Sequence, residues 1–315
     1  MEIKVSHSTD RVENKQLDMN RYDMNHGPDE LQKIERIIHL VNRSEIASIK
    51  SVVSGIIRVI NDPESTANDL IDVIETDPPL TGKVLKVANS AYYSPLNRIG
   101  DIRHAVVWIG LDTLKELALN QKIGHIFNGN GKINGYSRQL LWKHSVAVAK
   151  LSKMIFRKEF GESGANAYVA GLLHDIGIIV EDQYLPTDFN SILKRIASED
   201  RNLSILEREV FGFDHAYLGM ALADNWNLPQ ELVFAIGCHD KPIGVDPDFA
   251  RLASTLHIAE IFSKKCYNGY MDITVEDDRL FNKCLTDLEV EIHAIELIAE
   301  DVKQELSKME EQGLF

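Results

Sequence analysis

The sequence predicts an all-α fold, and three features of the chain indicate it. From Leu31 onward, apolar residues recur three and four positions apart, the spacing of one face of an α-helix. Alternating runs of valine and isoleucine, which are typical of strands, are rare. Capping residues and prolines precede several periodic segments, and glycines follow some of them. With 315 residues, the chain is long enough to bury a large core.

The composition is that of a globular, acidic protein. Hydrophobic residues make up 44% of the chain and charged residues 26%, while 34 Lys and Arg against 48 Asp and Glu give a net charge of −14. This charge disfavours general binding to nucleic acid. The chain has no long apolar segment and no signal-peptide pattern at its start, so we expect a cytoplasmic protein without a membrane partner. The cysteines Cys238, Cys266 and Cys284 form no Cys-x-x-Cys pair and are expected to be reduced.

The first third of the chain is expected to consist of a disordered tail and a set of short helices. Residues 1–28 are polar and lack a sustained period, which is typical of a tail. The predicted helices are 67–75, capped by Ser65-Thr66; 78–89, opened by Pro78; 102–109, ended by Gly110; and 114–126, capped by Asp112. The glycine- and asparagine-rich stretch 128–135 predicts a subdomain boundary. The expected divisions are therefore 1–28, 29–135, 136–285 and 286–315.

The last division has the pattern of an amphipathic helix. Thr286-x-x-Glu289 is a capping-box motif, and the apolar residues after it keep a strict alternation of four and three positions. This stripe must be covered, either by the helix's own domain or by a second copy of the chain in a coiled coil. Docking on its own domain is favoured because three heptads are short for stable self-association. A homodimer through this helix is the alternative.

The doublet His174-Asp175 is the most informative feature of the remaining region. It stands inside the apolar run from Ala170 to Val180, where two ionisable side chains would be buried. Burial without partners costs several kcal/mol for each such group. A metal ion would satisfy both side chains, and an aspartate that fixes the tautomer of a neighbouring histidine is the alternative.

Three further histidines are predicted to face the same interior. His144 falls on the apolar stripe of the helix that begins near Gln139. His215 follows Asp214, a predicted cap, and His239 shares a face with the apolar residues of the next helix. Any one of them could be a core histidine with a hydrogen-bond partner, but one metal pocket would satisfy all of them together with Asp175.

The types of donor atom narrow the choice of metal ion. Imidazole with carboxylate suits iron, manganese, zinc or nickel, and no cysteine stands among the candidate ligands. We expect one or two divalent ions, with iron or manganese preferred over zinc, nickel or magnesium. Glu260, at the edge of an apolar helix, is a candidate second carboxylate or else a solvated charge.

These motifs resemble the HD superfamily of metal-dependent phosphohydrolases and, within it, the HDOD domain of bacterial signalling proteins. The HD part of the resemblance rests on His144, on the doublet within Gly171-Leu-Leu-His-Asp-Ile-Gly177 and on a later acidic residue. The HDOD part rests on segments 85–92, 99–105 and 108–111, on 215–219 and 226–229, and on His239. The resemblance spans about residues 31–262. It implies an HD-type helical domain preceded by a smaller helical HDOD subdomain.

The resemblance also implies roles for the candidate residues. In the catalytic relatives, the counterparts of His144, His174, Asp175 and a final Asp bind metal, and here Glu260 stands in that last place. His215 and His239 would complete a binuclear site in which Asp175 bridges two ions. Asp175 is accordingly the candidate catalytic residue if the protein is a phosphohydrolase.

Three departures from the catalytic pattern weaken the enzymatic interpretation. Ile178 stands where many active relatives have a lysine that can act on the scissile phosphate, and Glu260 replaces the final Asp. No Gly-Tyr-Pro loop follows His239, because Gly269-Tyr270-Met271 lacks its context. The favoured function is therefore a regulatory HDOD protein that engages signalling proteins or a small phosphorylated ligand. The alternatives are a metal-dependent phosphohydrolase acting on a nucleotide or other phosphoester, and a di-iron sensor.

Overall fold

The computed structural model describes residues 27–129, 133, 135–199, 201–266, 278–312 and 314. Within these ranges the chain forms α-helices and short turns; one isolated bridge joins Ile133 and Tyr136, and there is no strand. The predicted all-α class is confirmed. The tail predicted at residues 1–28 falls outside the described ranges except for its last two residues, as does the segment Gly269-Tyr270-Met271.

Six α-helices of the described residues precede the predicted subdomain boundary, and the last five of them pack on one another, whereas the first packs on the later helix His215–Asn225. They are α1 (Pro28–Val41), α2 (Ala47–Asn61), α3 (Ala67–Glu75), α4 (Pro78–Ala88), α5 (Ile102–Ile109) and α6 (Leu111–Ile123), followed by a 3-10 helix, Gly124–Phe127. Three of the predicted starts are found, because Thr66, Asp77 and Asp101 cap α3, α4 and α5.

The remaining helices carry the candidate metal-binding residues and the C-terminal stripe. They are α7 (Arg138–Glu159), α8 (Ala165–Leu173), α9 (Ile176–Tyr184), α10 (Pro186–Glu199), α11 (Leu203–Phe211), α12 (His215–Asn225), α13 (Gln230–Cys238), α14 (Pro247–Cys266), α15 (Asp278–Asp287) and α16 (Ile292–Glu311). The central helix α7 packs against α8, α14 and α16, and α12 packs against α9 and α13.

Two predicted helix starts are wrong. Asp112 lies within the first turn of α6, because the helix begins one residue earlier, directly after Gly110, whose φ of 83° turns the chain. Thr286 lies inside α15, where its hydroxyl donates to Asn282 O. Glu289 takes a φ of 57°, which interrupts the helical path before α16. The C-terminal helix therefore begins at Ile292 rather than at the capping-box motif.

The C-terminal helix α16 docks on its own chain. Its buried stripe includes Ile295, Val302 and Leu306, and it packs against α7 and α14. Ion pairs run along the contact with α7, where Lys150 Nζ lies 2.7 Å from Glu305 Oε1 and Lys158 Nζ lies 2.7 Å from Asp301 Oδ2. The apolar stripe is thus covered within the protomer, as the favoured prediction states.

The core runs continuously from α1 to α16 through both helical regions. Gly171 allows a close helix contact within this core, since a Cβ at this position would lie 2.4 Å from the Cα of Ala149 on α7. The backbones of α7 and α8 therefore approach closely beside His144 and His174. None of the helices in the described ranges is both long and apolar enough to cross a bilayer.

Candidate metal centre

The candidate ligands lie on six helices or at their ends. His144 is on α7 and Glu260 on α14, whereas His215 is the first residue of α12. The doublet His174-Asp175 is not inside one helix: it occupies the break between α8 and α9, which turns both side chains into the same interior space. His239, at the C-terminal end of α13, completes the group. All four imidazoles and Asp175 are at most 3% exposed.

One half of the centre joins two histidines with two carboxylates. His144 Nε2 lies 3.2 Å from His174 Nε2 and 2.8 Å from Glu260 Oε2. His174 Nε2 lies 3.2 Å from Glu260 Oε2 and 3.2 Å from Asp175 Oδ2. The extra methylene of a glutamate therefore still brings an oxygen to both imidazoles. These four groups surround one space that suits a single cation.

The other half uses the second oxygen of the same aspartate. Asp175 Oδ1 lies 3.5 Å from His215 Nε2 and 3.6 Å from His239 Nε2. Asp240 was not among the predicted ligands, yet its carboxylate lies 3.7 Å from His215 Nε2 and 3.6 Å from His239 Nε2. Its side chain is 36% exposed, so this half is open on one side. Asp175 thus stands between two imidazole pairs, with one oxygen toward each.

Backbone carbonyls orient two of the imidazoles. His174 Nδ1 lies 2.8 Å from Gly171 O, and His239 Nδ1 lies 2.8 Å from Ile236 O. A carbonyl only accepts hydrogen bonds, so each Nδ1 carries the proton and each Nε2 presents its lone pair to the centre when the ring is neutral. Histidine ligands of metal ions are commonly oriented in this way.

Side chains orient the other two. Ser263 donates its hydroxyl to Glu260 O at 2.6 Å, so its oxygen accepts from His144 Nδ1 at 3.0 Å. His215 Nδ1 donates to Glu207 Oε2 at 2.7 Å, and the backbone N–H of His215 donates to the same oxygen at 3.0 Å. All four Nε2 atoms are therefore available to a ligand.

The surroundings of two carboxylate oxygens show that a cation fits the centre. Asp175 Oδ2 and Glu260 Oε2 are buried, and no backbone N–H or hydroxyl of the described residues donates to either oxygen. They face imidazole lone pairs, so acceptor meets acceptor unless protons or a cation lie between them. The oxygen and nitrogen donors fit a divalent cation, and Asp175 could be shared by two.

The pKa shifts of His174 and Asp175 show that the centre attracts positive charge. Burial lowers the pKa of His174, but the charge of Asp175 and hydrogen bonds to Asp175 and Glu260 outweigh burial and raise it to about 10. Burial raises the pKa of Asp175, but His174, His239 and His215 hold it well below its usual value. In the ion-free protein, protons on His174 and His215 would therefore balance carboxylate charge.

Behind His215 lies a buried pair of carboxyl groups. Glu181 and Glu207 are both fully buried, and burial together with the charge of Glu207 raises the pKa of Glu181 well above its usual value. Burial and the neighbouring Glu207 therefore favour the protonated form of Glu181, while Glu207 Oε2 accepts the hydrogen bonds that orient His215. Neither glutamate was predicted, because helical spacing shows that a residue faces inward but not which partner it meets.

A glycine of the motif sets the distance between the two halves. A Cβ at Gly177 would lie 2.0 Å from the carbonyl oxygen of His215. Only glycine lets α9 come this close to the start of α12. His215 is therefore held beside Asp175 by backbone contact as well as by Glu207.

No cationic side chain of the described residues strongly influences the carboxylates of the centre. The groups that act most strongly on the pKa values of Asp175 and Glu260 are the surrounding histidines, and no lysine or arginine is among them. Ile178, where the resemblance implies a lysine in many active relatives, is 0% exposed and belongs to the core. Among the described residues, histidines therefore act most strongly on the charges of Asp175 and Glu260.

Comparison with known families agrees with the motifs. The sequence pattern of the HDOD domain matches residues 46–242. The chain belongs to the HDOD family. The match takes in every candidate ligand except Glu260, which lies beyond it on α14.

Solved structures share the fold of this HDOD protein. An HDOD domain protein of unknown function from Geobacter sulfurreducens is 26% identical, with a TM-score of 0.69 over 82% of this chain and 90% of that one. A candidate phosphohydrolase from Shewanella amazonensis is 23% identical (TM-score 0.64, 91% and 96% covered). A candidate signal transduction protein from Marinobacter aquaeolei is 21% identical (TM-score 0.66, 87% and 64% covered). The last two establish likeness of fold alone.

One curated relative is an uncharacterised protein. This chain is 26% identical over 219 residues to a protein of Treponema pallidum, an alignment that covers 69% of this chain and 42% of the relative. The matched region thus spans less than half the length of that relative.

Proposed function

We propose that this chain is a regulatory HDOD protein that binds two divalent cations at the candidate metal centre. One observation carries the proposal: each oxygen of Asp175 faces a separate pair of imidazole Nε2 atoms, and all four Nδ1 atoms are already held by acceptors. His144, His174 and Glu260 would hold one ion with Asp175. His215, His239 and Asp240 would hold the other.

The regulatory part of the proposal rests on what surrounds the ions. A phosphohydrolase that cleaves a phosphoester gains from a positive side chain beside the scissile phosphate. In the described part of the chain, Ile178 fills that place with a buried apolar group, and no lysine or arginine strongly influences Asp175 or Glu260. A centre that lacks such a positive side chain can still bind ions and control the conformation of the protein.

The ions would act by linking helices. The ligands come from α7, the break between α8 and α9, α12, the end of α13, and α14, which are distant in sequence. Bound ions would neutralise buried carboxylates and stabilise this arrangement over any in which the helices separate. Metal occupancy would thereby set the shape presented to a signalling partner or to a small phosphorylated ligand.

The first experiment is elemental analysis of protein purified without chelator. We expect about two ions per chain, with iron or manganese as the favoured metals because the donors are imidazole and carboxylate. Asp175→Asn should lose both ions because the bridging oxygens lose their charge, whereas Asp188→Asn, an exposed position at the start of α10, should retain them. Metal-free wild-type protein would overturn the proposal.

A second candidate function is a metal-dependent phosphohydrolase. The specific observation in its favour is the open side of the centre at Asp240, where a phosphoester could reach both ion sites. The ions, when bound, would polarise a phosphate and a water molecule. Asp175 would hold both ions, and His215 and His239 would hold the ion on the open side.

Turnover separates the two functions. Metal-loaded protein should hydrolyse neither bis(p-nitrophenyl) phosphate nor cyclic dinucleotides if the centre is regulatory. Turnover that disappears in folded, helical Asp175→Asn protein would replace the regulatory proposal with the phosphohydrolase. Turnover unchanged in Asp175→Asn would come from a contaminant and would support neither enzyme role for the centre.

A further inference from the structure

A cavity of about 330 Å³ lies between α6, α7 and α16. The helix α7 contributes Lys150 to it, six residues after His144, which places the two side chains on different faces of the helix. None of the candidate metal ligands lines the cavity. It is therefore a site distinct from the metal centre, and its size is within the usual range for small-ligand pockets.

The buried charges of this cavity neutralise one another. Lys150 Nζ lies 2.7 Å from Glu305 Oε1 and 3.7 Å from Glu116 Oε2, and Lys153 pairs with Glu116 as well. Two lysines thus meet two glutamates. These four side chains account for their own charges and leave no net charge for a ligand to balance.

Arg157 is different. It is exposed at the edge of the cavity, on the same helix as Lys150 and Lys153, and it forms no ion pair with any described residue. A planar guanidinium with free N–H groups fits the oxygens of a carboxylate or phosphate. Asp112, the remaining acidic residue of the lining, pairs with Lys115 at 3.3 Å. Among the described residues of the lining, Arg157 is therefore the charged group without an ion pair, and it fits a ligand with a negative group.

Two amides on α6 provide further free hydrogen-bonding groups. Asn120 accepts a hydrogen bond from the Tyr168 hydroxyl at 3.0 Å through its Oδ1, which leaves its NH₂ donors without a partner among the described residues. Gln121 lines the same cavity and makes no side-chain hydrogen bond within the described ranges. Side-chain amides of this kind can pair with the edge of a nucleobase.

Aromatic rings form another wall. Tyr92 and Tyr93 both line the cavity, with ring centroids 4.9 Å apart and planes 78° apart. Both rings are partly exposed, so their surfaces remain open to contact. Tyrosine faces stack readily on planar heteroaromatic rings.

We propose that this cavity binds a nucleoside monophosphate. The tyrosines would contact the base, Asn120 and Gln121 would read its edge, and Arg157 would pair with the phosphate. Because the walls come from α6, α7 and α16, a bound ligand would connect the N-terminal helices, the metal-bearing region and the C-terminal helix. The proposal does not depend on whether the metal centre is regulatory or catalytic.

The test is isothermal titration calorimetry of the full-length, metal-loaded protein with AMP, GMP and inorganic phosphate. We expect one nucleotide per chain and tighter binding of a nucleotide than of phosphate. Arg157→Ala should weaken nucleotide binding by about tenfold or more, since it removes a hydrogen bond between charged groups. Arg43→Ala is the matched control, because Arg43 is also exposed and unpaired in the described residues but lies outside the cavity.

Three results would overturn the proposal. They are the absence of binding by both nucleotides at about 1 mM, equal affinities of phosphate and nucleotide, and an unchanged affinity in Arg157→Ala. Asp175→Asn separates this cavity from the metal centre: nucleotide binding should survive in that variant even when its ions are gone. Loss of binding in Asp175→Asn would place the nucleotide at the ions and refute the second site.

Discussion

Replacing Gly177 with alanine should remove the second ion while leaving the overall fold in place. A Cβ at Gly177 would lie 2.0 Å from His215 O, whereas ordinary contact begins at 3.4 Å. The start of α12 and the start of α9 must therefore move apart by about 1.4 Å. Metal ligand distances tolerate about 0.2 Å, so His215 and Asp175 could no longer share a cation in the present arrangement.

The same displacement has a cost in stability. Inserting a methyl group into a packed core costs about 1–3 kcal/mol. For a domain of this size, each kcal/mol lowers the Tm by about 2–4 °C. We expect Gly177→Ala to remain helical, to melt several degrees lower than wild type, and to hold about one ion per chain rather than two.

Elemental analysis, circular dichroism and thermal unfolding measure these three quantities. Gly82→Ala is the matched control, because no atom lies within 4 Å of a Cβ at Gly82. This exchange lies within α4 and should be neutral or stabilising by about 0.4–1 kcal/mol. Gly177→Ala protein with two ions and an unchanged Tm would refute the reasoning that this close approach positions the metal centre.

The other predictions concern the orientation of a ligand, the pH and the C-terminal helix. Glu207→Gln weakens the acceptor of an imidazole N–H, so affinity for the second ion should fall about 10- to 100-fold in metal titrations; Glu209→Gln, exposed on the same helix, should match wild type, and equal losses would contradict the assignment. The pKa of His174 in the folded protein is raised to about 10, so protonation stabilises ion-free protein fully below pH 6.5 and this contribution is lost as the pH rises toward 10. Metal competes with that proton, so affinity measured against a chelator should rise across the same window, and a flat profile would argue against the competition. Ile295→Ala, fully buried in α16, should cost about 2–5 kcal/mol in urea unfolding, whereas Leu297→Ala, 57% exposed, should cost less than about 0.5 kcal/mol; similar costs would contradict docking of the helix.

Much of the fold could be predicted because helices depend on neighbours three and four residues away. The predicted segments 67–75 and 102–109 agree with α3 and α5 to the residue. The errors at Asp112 and Thr286 arose where a capping residue stood inside a helix instead of before it. In both places a residue with a positive φ, Gly110 or Glu289, sets the helix boundary. The sequence pattern does not show that these residues take a positive φ.

The candidate site divides in the same way. The stripe of His144 and the cap before His215 predicted that these side chains face inward, and the structure brings them together with His174, Asp175 and His239. The placement of Glu260 between two imidazoles was an open question, because an oxygen position depends on where α14 lies relative to α7. Its distances to the imidazoles of His144 and His174 answer that question.

By itself, the sequence determined that the chain is helical, that His144, His174, His215 and His239 face the interior, and that its motifs resemble those of HDOD proteins. These properties follow from local periodicity and from residue type. Only the tertiary structure decided that Asp175 stands between two imidazole pairs, that Asp240 joins them, and that Glu207 and Ser263 orient the rings. The reason is that these groups come from helices far apart in the chain, and their distances depend on backbone packing at contacts such as Gly177 against His215.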